Sequence, residues 1–389
     1  MKRYSGIYEQ IYDYENLYEA YLAARRNKTQ RSEVLSFTRN LEENLIELQN
    51  ELIWHTYHVG RYREFYVTDP KKRLIMALPF RDRVVQWAIY RQISYLLDKR
   101  YIPTSYACRI GGGTQRAVHQ LQQYIHHTPG EVYVLKLDVS KYFYRIDHAV
   151  LLGILHRIFK DQELLELLRR IIDDDQGGGL FGIDIETGER EADVGMPIGN
   201  LTSQMFANLY LNEADQFAKH ELHARRYIRY MDDMVIVSND KAYLRDCWQA
   251  MDDFLASHLK LRLNRKSTIL KASNGIDFCG HRVWRDHIKL RKKEVLKMKH
   301  RLRYLRKAYA RGEVDVKTVR DTLMSYLGIL QHCDGYKLTE KVLRDLVLTK
   351  GGRQHEEITN SGSGPGNYDG RYGGVFCGFD SRQYQPDWR

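Results

Sequence analysis

The amino-acid sequence predicts an α+β fold in which an antiparallel sheet packs against helices. The stretch 226–238 holds two short apolar or aromatic segments around a tight centre, which is the pattern of a β-hairpin. The run 131–137 alternates with period two and ends on Asp138, as a half-buried strand does. Residues 34–52 carry leucines at i, i+4, i+7 and i+11, which favours an amphipathic helix.

The composition favours a polyanionic partner. The chain has 389 residues with 61 Lys and Arg against 50 Asp and Glu, a formal net charge of +11, which points first to nucleic acid and second to an anionic membrane surface. Five dispersed cysteines without a Cys-x-x-Cys pair disfavour a zinc ribbon or a disulfide framework and fit a reducing cytosol. Neither a spanning apolar run nor a signal peptide is recognisable, so we expect a soluble cytoplasmic protein without a membrane partner.

Changes in pattern divide the chain into four parts. Residues 1–64 are predicted to be a helical region of mixed charge, and residues 65–285 hold the predicted sheet with its intervening helices. Residues 286–350 are predicted to be helical and basic. Residues 351–389 are rich in glycine and aromatic residues, and we expect this tail to be flexible.

The elements follow in order along the chain. A turn signal at 68–70 separates a β-rich segment from the basic residues 71–75 and predicts a basic β-hairpin. The glycine-rich stretch 105–114 either lets a phosphate or template backbone approach closely or is only a turn. Helical patterns cover 80–97, 115–126, 151–172, 204–220 and 244–259, and short strands are predicted at 261–268 and 276–284.

The stretch 289–311 is predicted to be a helix with a cationic face. It combines an apolar stripe with many Lys and Arg residues and the single acid Glu294. Such a face is either solvated or in contact with phosphates, and the density of positive charge favours the second interpretation.

The hairpin at 226–238 carries Asp232 and Asp233 side by side among apolar neighbours. Two adjacent negative charges at a half-buried tip are unfavourable unless a cation lies beside them, and Mg²⁺ binds carboxylates of this kind. A solvated turn is the alternative. If Asp138 ends a neighbouring strand, three carboxylates meet, which suits two metal ions about 3.5–4 Å apart that serve phosphoryl transfer.

Several motifs resemble those of reverse transcriptases and fall in the same order. The Tyr-x-Asp-Asp stretch at 230–233 resembles the palm signature, and Asp138 followed by Phe143 resembles the first palm motif. Lys266 lies where the family has the lysine held to protonate the leaving pyrophosphate. The Phe-Cys-Gly stretch at 278–280 resembles the primer grip, and the basic helices after it resemble a thumb.

The resemblance implies a right-hand RNA-directed DNA polymerase, with fingers and palm at 65–285 and a helical thumb at 286–350. It implies two Mg²⁺ ions, or Mn²⁺, on Asp138, Asp232 and Asp233, with Lys266 as a fourth catalytic residue. The implied nucleotide contacts are Lys71, Arg73, Arg81, Phe143, Ile198, Gly199 and Tyr230, with Lys72 as a further candidate. The implied nucleic-acid contacts are Phe278, Gly280, Lys292, Lys299 and Arg303.

One departure narrows the resemblance. Where most of the family has Gln-Gly-x-x-x-Ser-Pro, residues 198–204 read Ile-Gly-Asn-Leu-Thr-Ser-Gln, which is similar to reverse transcriptases of diversity-generating retroelements in phages and bacteria. Such enzymes copy a template-repeat RNA with errors at adenines and so diversify a target gene. The resemblance implies a structured RNA, an RNA–cDNA duplex, deoxynucleotides and a small, basic, oligomeric accessory protein as partners, in a bacterial or phage-infected cell.

Ile198 and Phe143 have physical interpretations within this resemblance. A glutamine beside the incoming nucleotide can form hydrogen bonds, whereas Ile198 can only pack, unless it is an ordinary core residue. Phe143 lies where the family has the ring that excludes a ribose 2′-hydroxyl, which implies deoxynucleotide substrates. The rivals are a retron, group II intron-like or abortive-infection reverse transcriptase, and a catalytically spent RNA-binding scaffold.

Overall fold

The computed structural model describes residues 3–68, 72–173, 181–183, 187 and 189–349. The described residues within 3–113 and 135–269 form one compact unit, and those within 114–134 and 270–349 form a second. Lys71 and the predicted tail 351–389 lie outside the described residues.

The fold combines helices with antiparallel strands, as predicted. The helices of the described residues are α1 Tyr8–Tyr12, α2 Tyr14–Arg25, α3 Ser32–Arg39, α4 Leu41–Ile53, α5 Phe80–Asp98, α6 Thr114–His126, α7 His148–Ile158, α8 Gln162–Asp173, α9 Leu201–His220, α10 Lys241–Leu259, α11 Lys292–Ala310, α12 Val316–Leu330 and α13 Tyr336–Asp345. The strands are β1 Arg63–Thr68, β2 Lys72–Ala77, β3 Tyr133–Asp138, β4 Gly182–Ile183, β5 Arg190–Glu191, β6 Tyr227–Tyr230, β7 Asp233–Ser238, β8 Thr268–Lys271, β9 Ile276–Phe278, β10 His281–Val283 and β11 Ile288–Leu290.

Local sequence explains where many helices begin. Aspartate side chains accept backbone N–H groups at the first turns of α2, α7, α10 and α12, and these caps are Asp13, Asp147, Asp240 and Asp315. Each cap satisfies N–H groups that have no partner within the helix, which fixes the helix start.

Two stretches predicted as single helices are each divided in two. The stretch 34–52 is interrupted at Asn40. In the last turn of α3, the carbonyl of Phe37 accepts a hydrogen bond from the side-chain amide of Asn44 at 2.9 Å. The stretch 151–172 is interrupted at Phe159, which is extended and pairs with Tyr4 in a parallel bridge. Both interruptions involve contacts with residues that the periodic pattern of apolar residues does not predict.

Two further boundaries differ from the prediction. The basic stretch 289–311 begins in β11, where Lys289 pairs with Arg282 of β10, so its helix starts only at Lys292. The predicted strand at 261–268 is largely irregular; Leu263 makes an isolated bridge to Val139, and regular pairing begins with β8.

The first unit is organised around a four-stranded sheet of order β6–β7–β3–β8. The apolar side chains of β3 and β7 are buried, and so is most of α9, which therefore carries apolar residues on nearly every side. The hairpin of β1 and β2 is antiparallel, with Arg63 opposite Ala77 and Thr68 opposite Lys72. The predicted basic hairpin is thereby confirmed.

Among the described residues, the second unit has a three-stranded antiparallel sheet of order β11–β10–β9 and four helices, α6 and α11 to α13. Its helical core consists of Met298, Leu302, Leu330 and Val342. In the described part of the chain, no helix has both the length and the apolarity to cross a membrane.

Candidate active site

The predicted Asp-Asp hairpin is confirmed. Tyr230 of β6 pairs with Asp233 of β7, which leaves Met231 and Asp232 as a two-residue turn. Met231 has a φ of +55°, in the left-handed region that such tight hairpin turns require. The turn therefore presents Asp232 at the end of the four-stranded sheet, directly before β7.

Asp138 ends β3, the strand next to β7 in the sheet. Its N–H donates to the hydroxyl of Ser267 at 3.3 Å, and its carbonyl accepts the N–H of Asn264 at 2.7 Å. The N–H of Lys266 in turn donates to the Asn264 side-chain oxygen at 3.1 Å, and the Lys266 side chain is exposed. Hydrogen bonds thus connect residues 264–267, which include the predicted proton donor Lys266, to the backbone of Asp138.

The electrostatics show that the three carboxylates interact. The pKa of Asp232 is raised to about 6, first by burial and then by the negative charges of Asp233 and Asp138, while Arg73 of β2 acts in the opposite direction. Lys136 of β3 lies 3.4 Å from Asp233. Like charges held this close are unfavourable, and an added cation would relieve their repulsion.

The donor set suits a hard divalent cation, because it consists of carboxylate oxygens near a sheet end. Within the ranges that the structure describes, no group of three or more His, Cys, Asp or Glu side chains is gathered closely enough to hold a metal ion as it stands. The residues fit the chemistry of Mg²⁺ through their charge and mutual repulsion, and their roles as ligands stay a prediction.

Two of the predicted nucleotide contacts lie on neighbouring segments of the first unit. The carbonyl of Phe143 accepts the N–H of Met196 at 2.6 Å, two residues before Ile198. The carbonyl of Ile198 accepts the N–H of Met76 in β2 at 3.1 Å. Gly199 has a φ of +124°, a backbone conformation that residues with a side chain rarely adopt. Phe143 and Ile198 are both half-buried.

Arg81 is already engaged by protein groups. Its guanidinium forms an ion pair with Glu51 and lies 5.8 Å from the centre of the Tyr57 ring. The Tyr57 hydroxyl donates to the buried carboxylate of Asp82 at 2.8 Å. A substrate contact by Arg81 stays a prediction, and it would share the guanidinium with Glu51.

The second unit contains the predicted nucleic-acid contacts. Phe278 is buried, so a contact at the predicted primer grip would come from the neighbouring turn, where Gly280 has a φ of +80°. Lys292 and Arg303 are exposed on α11, and Lys299 is half-buried. A cavity of about 250 Å³ is lined by four cations and one acid, besides apolar residues; the charged residues are Lys299, Arg303, Arg306, Lys341 and Asp345. This part of α11 therefore offers a concentrated positive surface.

The sequence prediction did not include the residues beneath the turn. Arg229 of β6 and Asp215 of α9 form a fully buried ion pair. The available signal was Arg229 among the apolar and aromatic residues of β6, since such a charged residue is almost never buried without a partner. Asp215 gives no such signal, because its neighbours in α9 include other polar and charged residues.

Comparison with known proteins identifies the family. The family described as "Reverse transcriptase (RNA-dependent DNA polymerase)" matches residues 68–283. Protein YkfC of Escherichia coli (strain K12) is 27% identical over 281 residues, which cover 61% of this chain and 70% of YkfC. The group II intron-encoded protein LtrA of Lactococcus lactis subsp. cremoris is 26% identical over 180 residues, which cover 45% of this chain but only 28% of LtrA.

Among solved structures, apo telomerase from Candida tropicalis aligns with a TM-score of 0.48 and 12% identity, covering 73% of this chain and 58% of that chain. The family match itself spans more than half of the 389 residues and contains Asp138, Asp232, Asp233 and Lys266. The chain belongs to the reverse transcriptase (RNA-dependent DNA polymerase) family, with group II intron-encoded proteins among its relatives.

Proposed function

We propose that this reverse transcriptase serves a diversity-generating retroelement, copying a template-repeat RNA into cDNA with frequent errors at adenines. The observation that carries the proposal is the Ile-Gly-Asn-Leu-Thr-Ser-Gln stretch at 198–204, which begins beside β2 and leads into α9. The cDNA would then diversify a target gene.

The chemistry assigns a role to each part of the site. Asp138, Asp232 and Asp233 would hold the divalent ions, Mg²⁺ or Mn²⁺. When bound, two such ions supply activation of the primer 3′-hydroxyl and stabilisation of the leaving pyrophosphate. Lys266 would donate a proton to that pyrophosphate. Arg73, whose charge already acts on Asp232, would bind the triphosphate. Little covalent chemistry falls to the protein, so positioning and charge account for the rate.

Ile198 supports low fidelity through what its side chain lacks. Its carbonyl is bound by the N–H of Met76, so the position of the residue is fixed by β2, the strand that also carries Arg73. The side chain itself has neither donor nor acceptor. Discrimination between bases would therefore rest on base pairing and shape alone, without a protein hydrogen bond that rewards the aligned substrate.

The proposed partners follow from charge and from the site. The net charge of +11 suits a structured template RNA and an RNA–cDNA duplex. We assign the fingers and palm to residues 65–285 and the thumb to 286–350, where the cations of α11 would contact the duplex. A small, basic, oligomeric accessory protein and deoxynucleotides complete the proposed set of partners.

The second candidate is a group II intron-like reverse transcriptase without adenine mutagenesis, which the similarity to LtrA favours. The matched region spans less than a third of LtrA, so the activities of that whole protein do not carry over to this chain. The two candidates differ in their error spectrum.

The experiment is cDNA synthesis by the full chain on one RNA that carries all four template bases in matched sequence contexts. Sequencing the products measures misincorporation at each base. We expect errors opposite adenine well above those opposite the other three bases. An equal error frequency at all four bases would favour the group II intron-like alternative.

A further inference from the structure

Arg229 and Asp215 are completely buried, with both side chains at 0% exposure. Arg229 lies on β6 three residues before Asp232, and Asp215 lies in α9. The guanidinium binds the carboxylate through two bonds, from Nε to Oδ1 and from Nη2 to Oδ2, both at 2.7 Å. The Tyr227 hydroxyl donates to the same carboxylate at 2.8 Å.

The remaining N–H groups of Arg229 connect the pair to the turn. Nη1 donates to the side-chain oxygen of Asn208 at 2.8 Å and to the carbonyl of Met231 at 3.0 Å. Nη2 also donates to the backbone carbonyl of Asn208 at 3.1 Å. A guanidinium has five N–H donors, and these bonds use all of them.

The backbone of Arg229 is fixed as well. Its N–H donates to the carbonyl of Thr104 at 3.0 Å, and its own carbonyl accepts the N–H of Tyr106 at 3.1 Å. The loop around Ser105 therefore lies along β6 as an additional partner. Neither the main chain nor the side chain of Arg229 is free to move without breaking several hydrogen bonds.

An ion pair of this kind is not a general means of stabilising a fold. Removing two charges from water is costly, and apolar residues of similar volume often serve stability equally well or better. What apolar residues cannot provide is a directed hydrogen bond to Met231. That residue holds a φ of +55° without being glycine, a conformation that persists only where its surroundings fix it.

We propose that Arg229, oriented by Asp215 and Asn208, is a positioning residue for the polymerase reaction. By holding the carbonyl of Met231, it sets the direction in which the next residue, Asp232, presents its carboxylate. Arg229 itself touches neither substrate nor metal and acts through the turn. The inference rests on the family's polymerase activity and is independent of adenine mutagenesis.

The test compares Arg229→Lys with Tyr210→Phe in the full chain. Lysine keeps the charge but loses the two-pronged geometry and the bond to Met231. Tyr210→Phe is the control, because it removes another buried hydroxyl of α9, which donates to the carbonyl of Leu259 at 2.7 Å and accepts the N–H of Asp147 at 3.4 Å, neither of which belongs to the turn. Both variants are assayed at a temperature at which thermal melts show them to be folded.

We expect Arg229→Lys to weaken Mn²⁺ binding, measured by electron paramagnetic resonance on the free protein, by roughly 10- to 100-fold, as is typical when a group supporting metal ligands is removed. In primer extension, kcat should fall while the KM for deoxynucleotide stays within about twofold, because only the direction of Asp232 changes. Tyr210→Phe should leave metal binding and kcat near wild type. Unchanged Mn²⁺ binding and kcat in folded Arg229→Lys would overturn the proposal.

A second variant covers the case in which Arg229→Lys does not fold. The double substitution Arg229→Met with Asp215→Leu replaces the pair by apolar side chains of similar size, an exchange that buried ion pairs often tolerate. We expect this folded protein to show the same loss of Mn²⁺ binding and kcat. Wild-type behaviour of the double variant would show that the pair has only a structural role. If the wild-type chain bound Mn²⁺ but made no cDNA on any RNA, the proposed function would be wrong. The comparison of Mn²⁺ binding between wild type and the Arg229 variants would still test whether Arg229 positions Asp232.

Discussion

Lys136 and Asp233 face each other across neighbouring strands, with the lysine Nζ 3.4 Å from the carboxylate Oδ1. Lys136 lies on β3 two residues before Asp138, so this strand places a positive charge beside the aspartates of the candidate site. The side chains of Lys136 and Asp233 are 25% and 32% exposed, which keeps their attraction modest. The sheet thus neutralises part of the repulsion among the three aspartates.

Removing that cation should increase the response of the protein to Mg²⁺. In Lys136→Met the carboxylates repel one another more strongly, so the melting temperature without divalent ions should fall and the rise on adding MgCl₂ should grow. For a partly exposed pair we expect about 0.2–1 kcal/mol. Lys271→Met is the matched control, since Lys271 forms an ion pair with Glu131 at 2.6 Å. Equal Mg²⁺ shifts in wild type and Lys136→Met would contradict the coupling.

The raised pKa of Asp232 predicts a defined pH dependence of stability. With a pKa of about 6 in the folded state against an ordinary value of 3.8, the folded protein holds this proton more tightly than the unfolded chain does. Its contribution to stability is therefore fully present below about pH 4 and is lost as the pH rises through 6.

In EDTA, Asp232→Asn should accordingly be more stable than wild type at pH 8, by the order of 1–3 kcal/mol. The difference should shrink as the pH falls through 6 and vanish near pH 4. Urea unfolding across this pH range measures it. A difference independent of pH would mean that Asp232 does not titrate as the structure indicates.

The cationic face of α11 should account for part of the salt dependence of duplex binding. Neutralising Lys292, Lys299 and Arg303 together should lower the slope of log affinity against log salt by roughly 0.7–0.9 for each phosphate that the variant no longer neutralises. The control neutralises three cations outside the second unit: Arg225, Lys241 and Arg245, all exposed. Equal slopes for the α11 variant and wild type would identify α11 as solvated surface.

Ile198→Gln tests the proposed origin of the adenine errors. A glutamine could add a hydrogen bond available mainly to the aligned substrate, worth about 0.5–1.5 kcal/mol. Errors at adenine should then fall roughly two- to twelvefold, since about 1.4 kcal/mol corresponds to a factor of ten. Sequencing cDNA from one RNA measures both enzymes. If both made adenine errors equally often, Ile198 would be a packing residue and infidelity would arise elsewhere.

Elements set by local pattern could be predicted from the sequence. The structure agrees with the prediction for the hairpin at 226–238, the strand that ends on Asp138 and the helix from Phe80. These elements depend on the spacing of apolar residues and on turn residues within a short stretch of sequence. The electrostatic effect of Asp138 on Asp232 agrees with the prediction that their strands belong to one sheet.

Features that depend on distant partners could not be predicted in this way. Lys289 belongs to a strand because it pairs with Arg282, and no periodicity within 289–311 indicates that partner. Arg229 is tied to Asp215 of another element, and the local pattern contains only half of that contact. The sequence shows that Lys136 is a cation on the same strand as Asp138. Its pairing with Asp233 cannot be predicted without knowing that β3 lies next to β7 in the sheet.

The most direct test of the proposed catalytic centre is primer extension on an RNA template with Mg²⁺, comparing wild type with Asp232→Ala. We predict cDNA synthesis by wild type and none detectable by the variant, which should stay folded and keep nearly unchanged RNA affinity, because the substitution removes a proposed metal ligand and not a core contact. Robust cDNA synthesis by Asp232→Ala would contradict the assignment of the three aspartates as the catalytic centre.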